Sequence, residues 1–139
     1  MKTEYEDRFW SHVTGGDVQT CWLWTAMRGT TGYGKFKFRG RVVRAHRHAY
    51  ELLRAEIPNG LVLDHLCRDR ACVNPWHLEP VSQRVNVLRG QGVAAVAARK
   101  THCPHGHRYD DSNTVVTAAG FRRCRTCRST ADRLRRAKP

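Results

Sequence analysis

The chain has 139 residues, and its 25 lysine and arginine residues against 12 aspartate and glutamate residues give a formal net charge of +13 at pH 7. Such an excess is typical of a protein that binds a polyanion, because basic side chains that neutralise phosphates release condensed counterions. Six cysteines without an apolar N-terminal signal or a long apolar run favour metal ligands over disulfides. These features argue against a disulfide scaffold, a membrane protein and an ordinary metabolic enzyme.

Hydrophobic periodicity predicts short elements in the first part of the chain. Residues 1–20 begin as a helix, and CWLWTA from Cys21 is typical of a strand. The segment KFKFRGRVVRA predicts a hairpin, because Phe36 and Phe38 alternate with basic side chains. Residues 45–54 have the composition of a helix, and a Pro-Asn-Gly turn follows them.

The middle of the chain predicts the order strand, long loop, strand, helix. LVLDHL (61–66) is typical of a buried strand, and the polar segment 67–77 is too punctuated to be regular. HLEPV (77–81) predicts a returning strand. Ser82 is a suitable N-cap for the helix that follows, and Gly90 ends that helix.

Composition divides the chain into three parts. We expect a domain at residues 1–90, whose central chemistry lies in about 61–90. Residues 91–100 are a linker of small residues or a loosely held helix. Residues 101–139 form a separate module in which basic residues far outnumber acidic ones.

One group of polar residues in the middle segment has the composition of a catalytic metal site. Asp64 and His65 end the predicted strand, and the helix after it can bring Asn86 beside Asp64. A carboxylate and an amide oxygen are hard ligands that suit Mg²⁺ or Mn²⁺. A neutral imidazole next to them can activate water for attack on phosphorus.

The C-terminal module contains one of two predicted structural zinc sites. Cys124 and Cys127 have the CxxC spacing that lets two thiolates share one tetrahedral ion, and Cys103 supplies a third. The fourth ligand is either His105 or His107. His107 is preferred because a glycine precedes it.

A second set of three cysteines predicts the other zinc site. Cys67 and Cys72 flank a short basic loop, and Cys21 can approach them through the sheet. His77 is the nearest candidate for the fourth ligand. Such a site would hold the irregular loop in one shape and add folding free energy to a small chain. The alternative is that these cysteines are small buried hydrophobic residues.

Basic side chains on the hairpin, on the loop and on the C-terminal helix are predicted to contact phosphates. They are Lys35, Lys37, Arg39, Arg68, Arg70, Arg125, Arg128, Arg133, Arg135 and Arg136.

The motifs RFW, CWLWTA, GYGKF, AHRHAYEL, IPNGLVLDHLCRDRACVNPWHLEPV, HCPHGH and CRTC occur in order, and through them the chain resembles the HNH endonucleases of the ββα-metal fold. The resemblance is to their small phage and intron homing-type branch. It implies an α+β fold with a small antiparallel sheet, a zinc-stapled HNH core and a C-terminal zinc-knuckle module. It also implies that His65 is the general base and that Asp64 and Asn86 hold the catalytic cation. His77 falls on the middle position of the motif, where asparagine is commoner.

The resemblance further implies the reaction and the partner. It implies a metal-dependent endonuclease that hydrolyses phosphodiester bonds of double-stranded DNA, with Mg²⁺ or Mn²⁺ for catalysis and two structural Zn²⁺ ions. We expect a monomer or homodimer in the cytoplasm, which is the host's if a phage encodes the chain, with no membrane and no small-molecule substrate. A non-catalytic zinc-containing DNA-binding regulator is the alternative. Nothing in the residues separates DNA from RNA.

Overall fold

The computed structural model describes residues 4–137, which form short helices and strands. The helices are α1 (Glu4–Trp10), α2 (Ala45–Leu53), α3 (Gln83–Arg89), α4 (Val93–Arg99) and α5 (Arg125–Arg136), with a 3₁₀ turn at Pro75–His77. The strands are β1 (Val13–Thr14), β2 (Leu23–Trp24), β3 (Lys35–Phe38), β4 (Arg41–Arg44), β5 (Leu61–His65), β6 (Leu78–Ser82), β7 (Thr114–Val116) and β8 (Arg122–Cys124).

The strands pair antiparallel into four small sheets, β1 with β2, β3 with β4, β5 with β6 and β7 with β8. Together with the helices they confirm the predicted α+β class with small antiparallel sheets. None of the helices in the described part of the chain is long and apolar enough to cross a membrane.

The chain divides into two compact units, Met1–Asn86 and Val87–Pro139. In the second unit, residues 93–99 are the helix α4, and Arg122 donates hydrogen bonds to the carbonyls at its C-terminal end, at 2.6 Å from Ala97 and 2.9 Å from Lys100. The buried residues described in this unit are Ala95, Cys103 and Cys124. An apolar core this small leaves the cysteine-rich centre as the main means of holding the unit together.

Aromatic side chains form the core of the first unit. Phe9 is fully buried, and its ring centroid lies 5.1 Å from both the Trp24 and the Phe36 rings. Phe36 is on the buried face of β3, as the alternating pattern predicts. His48 of α2 packs against the same rings, 5.0 Å from Phe9.

The segment around β2 pairs with the loop before the 3₁₀ turn. The Trp24 amide donates to the Ala71 carbonyl at 2.9 Å, and the Val73 amide donates to the Trp22 carbonyl at 2.8 Å. The predicted strand at CWLWTA is therefore shorter than expected, because its neighbour is an irregular loop. This pairing places Cys21, directly before Trp22, beside that loop.

The central hairpin and its helix follow the predicted order. Asp64 pairs with Glu79 and His65 pairs with Leu78 across β5 and β6. The Ser82 hydroxyl oxygen accepts a hydrogen bond from the Val85 amide at 3.3 Å, which confirms the N-cap of α3.

Gly34 is a position where the core leaves no room for a side chain. A Cβ there would lie 2.6 Å from Cδ1 of Trp24 and 2.9 Å from Cβ of Ala45. We expect Gly34→Ala to lower the free energy of unfolding by about 2 kcal/mol through overpacking. Gly16→Ala is the matched control, because a Cβ at Gly16 meets nothing within 4 Å. Urea unfolding of both variants checks this, and equal midpoints would contradict the packing described.

Candidate functional site

Four predicted ligands converge in the first unit. Cys21, Cys67, Cys72 and His77 each offer a ligand atom, and these atoms all lie within 4.8 Å of one another. Nδ1 of His77 is 3.6 Å from Sγ of Cys21 and 3.7 Å from Sγ of Cys72. We call this group the first cluster.

Four more ligands converge in the second unit, at Cys103, His107, Cys124 and Cys127. Nδ1 of His107 lies 3.5 Å from Sγ of Cys103 and 3.3 Å from Sγ of Cys127, and the two sulfurs are 3.6 Å apart. We call this group the second cluster. It contains His107, the preferred histidine, whereas His105 is exposed and outside it.

The spacing in both clusters fits a tetrahedral zinc ion. With Zn–S and Zn–N distances of about 2.3 and 2.0 Å, a tetrahedron separates two sulfurs by about 3.8 Å and a sulfur from a nitrogen by about 3.5 Å. The distances above match these edges closely. Three thiolates and one imidazole are also a ligand set typical of structural zinc. Both clusters could therefore hold zinc.

Asn74 is a buried residue of the first unit that the sequence analysis did not identify. It is fully buried, and its amide group donates to the Val18 carbonyl at 3.1 Å and to the Thr20 carbonyl at 2.7 Å. Its side-chain oxygen accepts from the Trp76 amide at 3.0 Å. Asn74 thus ties the segment before Cys21 to the loop that carries the other ligands.

Asn113 has a comparable place in the second cluster. Its side chain lies 3.4 Å from Sγ of Cys124, and its oxygen accepts from the Thr126 amide at 3.0 Å. Cys124 is the N-cap of α5 and accepts from the Cys127 amide. Desolvation opposes ionisation of Cys124, but these hydrogen bonds outweigh it and lower the pKa of the thiol to about 6. The position therefore favours a thiolate, the form that binds metal.

Asp64 and His65 are the last two residues of β5, and both are buried, at 1% and 5% exposure. Nε2 of His65 lies 3.1 Å from the carbonyl oxygen of Cys72. Because a carbonyl only accepts, this contact assigns the proton to Nε2 and leaves the lone pair on Nδ1. Burial lowers the pKa of His65 below its usual value, which favours the neutral ring.

The carboxylate of Asp64 has a cationic partner. Nη1 of Arg68 lies 2.6 Å from Oδ1 of Asp64, and the Arg68 side chain is 45% exposed. Arg68 has a positive φ of 62°, a conformation that a non-glycine residue rarely adopts. The backbone of the loop is thus bent so that this guanidinium reaches a buried carboxylate.

The other predicted site residues lie in two settings. Asn86 is half-buried in α3, the helix that follows β6 directly. The basic residues predicted to bind DNA are all exposed, namely Lys35, Lys37, Arg39, Arg68, Arg70, Arg125, Arg128, Arg133, Arg135 and Arg136.

A layer of rings lies beside His65, and the place of Tyr33 in this layer escaped the sequence analysis. The His46 ring centroid lies 4.8 Å from that of His65, and the Tyr33 centroid lies 5.2 Å from His46 and 5.6 Å from His65. Burial and the neighbouring His65 lower the pKa of His46 to about 3, so this ring is neutral. The GYG motif that contains Tyr33 is a signal for a tight turn and does not reveal this contact.

Residues 43–88 match the model of the HNH endonuclease family. This segment contains Asp64, His65, Asn86 and three ligands of the first cluster. The predicted resemblance to HNH endonucleases is thereby confirmed over that part of the chain.

The chain is also similar to two phage proteins. It is 36% identical over 61 residues to Protein 7.7 of Escherichia phage T7. The aligned segment covers 44% of this chain and 47% of that protein. It is 34% identical over 44 residues to the uncharacterized gene 5.3 protein of Enterobacteria phage T3. That aligned segment covers 32% of this chain and 44% of the phage T3 protein. The chain thus spans less than half the length of these relatives. No solved structure shows significant similarity to it.

Zinc analysis distinguishes the two candidate histidines of the second cluster. We expect the purified protein to contain two zinc ions per chain, one for each cluster. His107→Ala should lose about one ion, because it removes a ligand, whereas His105→Ala should keep both. Elemental analysis after exhaustive dialysis measures this. Loss of zinc from the His105 variant with retention in the His107 variant would contradict the assignment.

Proposed function

We propose that the protein is a metal-dependent DNA endonuclease that hydrolyses phosphodiester bonds. The match to the HNH endonuclease family indicates a nuclease-type function and a nucleic acid substrate. The observation that carries the finer proposal is the hydrogen bond between His65 and the Cys72 carbonyl within that matched segment. It gives a buried imidazole a defined tautomer at the end of a strand, which is what a general base requires.

His65 has the role of general base in this proposal. With its Nε2 proton donated to the Cys72 carbonyl, Nδ1 is free to accept a proton from water that attacks phosphorus. The resulting imidazolium keeps the same hydrogen bond, because both ring nitrogens are then donors. The ring therefore need not turn between the two protonation states.

Asp64 and Asn86 would hold a divalent cation, Mg²⁺ or Mn²⁺. A carboxylate that is 1% exposed needs a positive partner, and a carboxylate with an amide oxygen is a hard ligand pair. When bound, such a cation stabilises negative charge on the phosphate and on the leaving oxygen. Arg68 supplies the positive partner in the structure described, so its guanidinium and a cation compete for Asp64.

The charge distribution supports a nucleic acid as the partner. The predicted contact residues are exposed in both units. In the first unit they lie on or directly after β3 and in the loop after β5, and in the second they lie on α5. In α5, Asp132 lies near Arg128 and Arg135, while the remaining arginines outnumber the acidic side chains. We propose that the second unit docks on DNA through phosphates. The product form in plasmid cleavage distinguishes cutting of one strand from cutting of both strands.

A non-catalytic, zinc-containing DNA-binding regulator is the second candidate. The ion pair between Arg68 and Asp64 favours it, because an arginine can neutralise the carboxylate permanently. In that case the protein would bind DNA in a salt-dependent way and would leave it intact.

Cleavage of supercoiled plasmid tests the proposal. We expect nicked or linear product with Mg²⁺ and none with EDTA. His65→Ala should lower the rate at least about 100-fold, because it removes the general base, while DNA affinity stays unchanged. His102→Ala, an exposed histidine of the second unit, is the control and should cut normally. Gel analysis gives the rate and the product form. The assay is repeated on a random-sequence DNA library in case the plasmid lacks the target sequence.

Two results would contradict the proposal. One is a zinc-loaded His65→Ala protein that cuts as fast as the wild type. The other is an intact plasmid and library in Mg²⁺ together with tight, salt-sensitive binding, which would favour the regulator.

A further inference from the structure

Two arginines, Arg44 and Arg70, lie against the ring of Tyr33 at the edge of the candidate site. We propose that Tyr33, Arg44 and Arg70 form a clamp for one phosphodiester group of the nucleic acid backbone, next to His65. This inference rests on the proposed function for the identity of the ligand. Its geometry does not involve the cation or the second cluster, whereas Arg70 lies in the loop that carries Cys67 and Cys72 of the first cluster.

The two guanidinium groups are held against one ring. Cζ of Arg44 lies 4.8 Å from the Tyr33 ring centroid, and Cζ of Arg70 lies 5.6 Å from it. Such cation–π contacts orient an arginine while most of its N–H groups stay available to a ligand. Arg44 and Arg70 come from distant parts of the chain, the end of β4 and the loop after β5, so the pair exists only in the folded unit.

Thr31, two residues before Tyr33, holds both arginines through hydrogen bonds. Nη1 of Arg70 donates to the Thr31 carbonyl at 3.0 Å, and Nη1 of Arg44 lies 3.4 Å from the Thr31 hydroxyl. Each guanidinium has five N–H groups, so these contacts use a small part of the donors. The clamp is thus arranged before a ligand arrives.

The pair of charges lacks an acidic partner. Within residues 4–137, neither Arg44 nor Arg70 forms an ion pair with a carboxylate, in contrast to Arg68 with Asp64. Both side chains are exposed. Two guanidinium groups on one ring repel each other, and a ligand with several anionic oxygens relieves that repulsion. A phosphodiester has the charge and the acceptor geometry for this role.

The rings connect the clamp to the catalytic histidine. Tyr33 contacts His65 directly, at 5.6 Å between centroids, and His46 packs against both. His46 is buried, and its Nδ1 has no hydrogen-bond partner among the described residues, so it is a packing element at this point. A phosphate bound by the two arginines would therefore be separated from His65 by the Tyr33 ring. This position suits a phosphate that neighbours the reacting one on the same strand.

Fluorescence anisotropy with a labelled DNA duplex in EDTA tests the clamp without cleavage. We expect Arg44→Ala and Arg70→Ala each to weaken binding about tenfold at low salt. Each should also reduce the slope of log affinity against log salt by about 1, the value for one lost phosphate contact. Tyr33→Leu should have a similar effect because it removes the ring face, and Tyr33→Phe should restore binding.

Arg54→Ala is the matched control. Arg54 also stacks on a tyrosine, 6.0 Å from the Tyr50 ring centroid, but it lies at the opposite end of α2 from Arg44. Its loss should leave affinity and salt slope near wild type. Zinc content and thermal unfolding of each variant identify any that misfold, and the exposed Arg44 variant tests the clamp if Tyr33→Leu does not fold.

The outcomes separate the clamp from the nuclease proposal. Wild-type affinity and slope in folded Arg44→Ala and Arg70→Ala proteins would overturn the clamp, whatever the plasmid assay shows. Reduced binding in these variants with no Mg²⁺-dependent cleavage by the wild type would support the clamp and overturn the nuclease. A third outcome is that inorganic phosphate binds the wild type in an Arg44-dependent way while Arg44→Ala leaves DNA binding unchanged. That outcome would show a site for free phosphate and would also overturn the proposal.

Discussion

The hydrogen bond from His65 to the carbonyl of Cys72 is the contact on which the candidate site depends. Cys72 takes part in three interactions at once. Its sulfur belongs to the first cluster, its carbonyl binds His65, and its backbone bridges to Leu23. The position of the imidazole is therefore set by the same residue that joins the N-terminal segment to the loop.

This arrangement places the first cluster, a candidate zinc site, beside His65. The loop at 67–77 is irregular, and apolar burial alone gives such a loop little stability. An ion bound by the four ligands, with Asn74 holding the segment before Cys21, would restrict the loop to one shape. Zinc binding at the first cluster would then contribute both to folding and to the orientation of His65.

The second unit also depends on a cysteine and histidine cluster, and it has fewer buried apolar residues than the first unit. Its described buried residues include two cysteine ligands, so the second cluster takes the place of an apolar core. Arg122 fixes the end of α4, and Asn113 fixes the start of α5. The exposed arginines of α5 are thereby attached to an ordered unit, which would reduce the entropy lost in the proposed binding to phosphates.

The sequence was sufficient for features that depend on local pattern. The β3–β4 hairpin, the β5–β6 hairpin and the Ser82 cap could be predicted, because alternation and capping residues act over short distances. The two ligand sets join distant residues, and they could be predicted because the six cysteines divide into two sets of three, each with a histidine nearby in the chain. The short length of β2 could not be predicted, since it depends on pairing with residues 71–73. The roles of Asn74 and Tyr33 were missed for the same reason, because their partners are distant in the chain.

Trp76 is exposed, although large aromatic rings usually supply burial in a small chain. Trp22 and Trp24 are buried, but Trp76 is 43% exposed. Its position in the 3₁₀ turn is set by the hydrogen bond to Asn74 and by His77 in the first cluster. Ligand geometry thus outweighs the burial of a large ring at this position.

The tautomer of His65 is the most direct measure of the link between the first cluster and the site. Long-range ¹H–¹⁵N NMR of the zinc-loaded protein, with His65 assigned by comparison with His65→Ala, reports which ring nitrogen carries the proton. The account predicts a proton on Nε2, with Nδ1 unprotonated at neutral pH, and loss of this single state in Cys21→Ser. A proton on Nδ1 in the zinc-loaded wild type would contradict it.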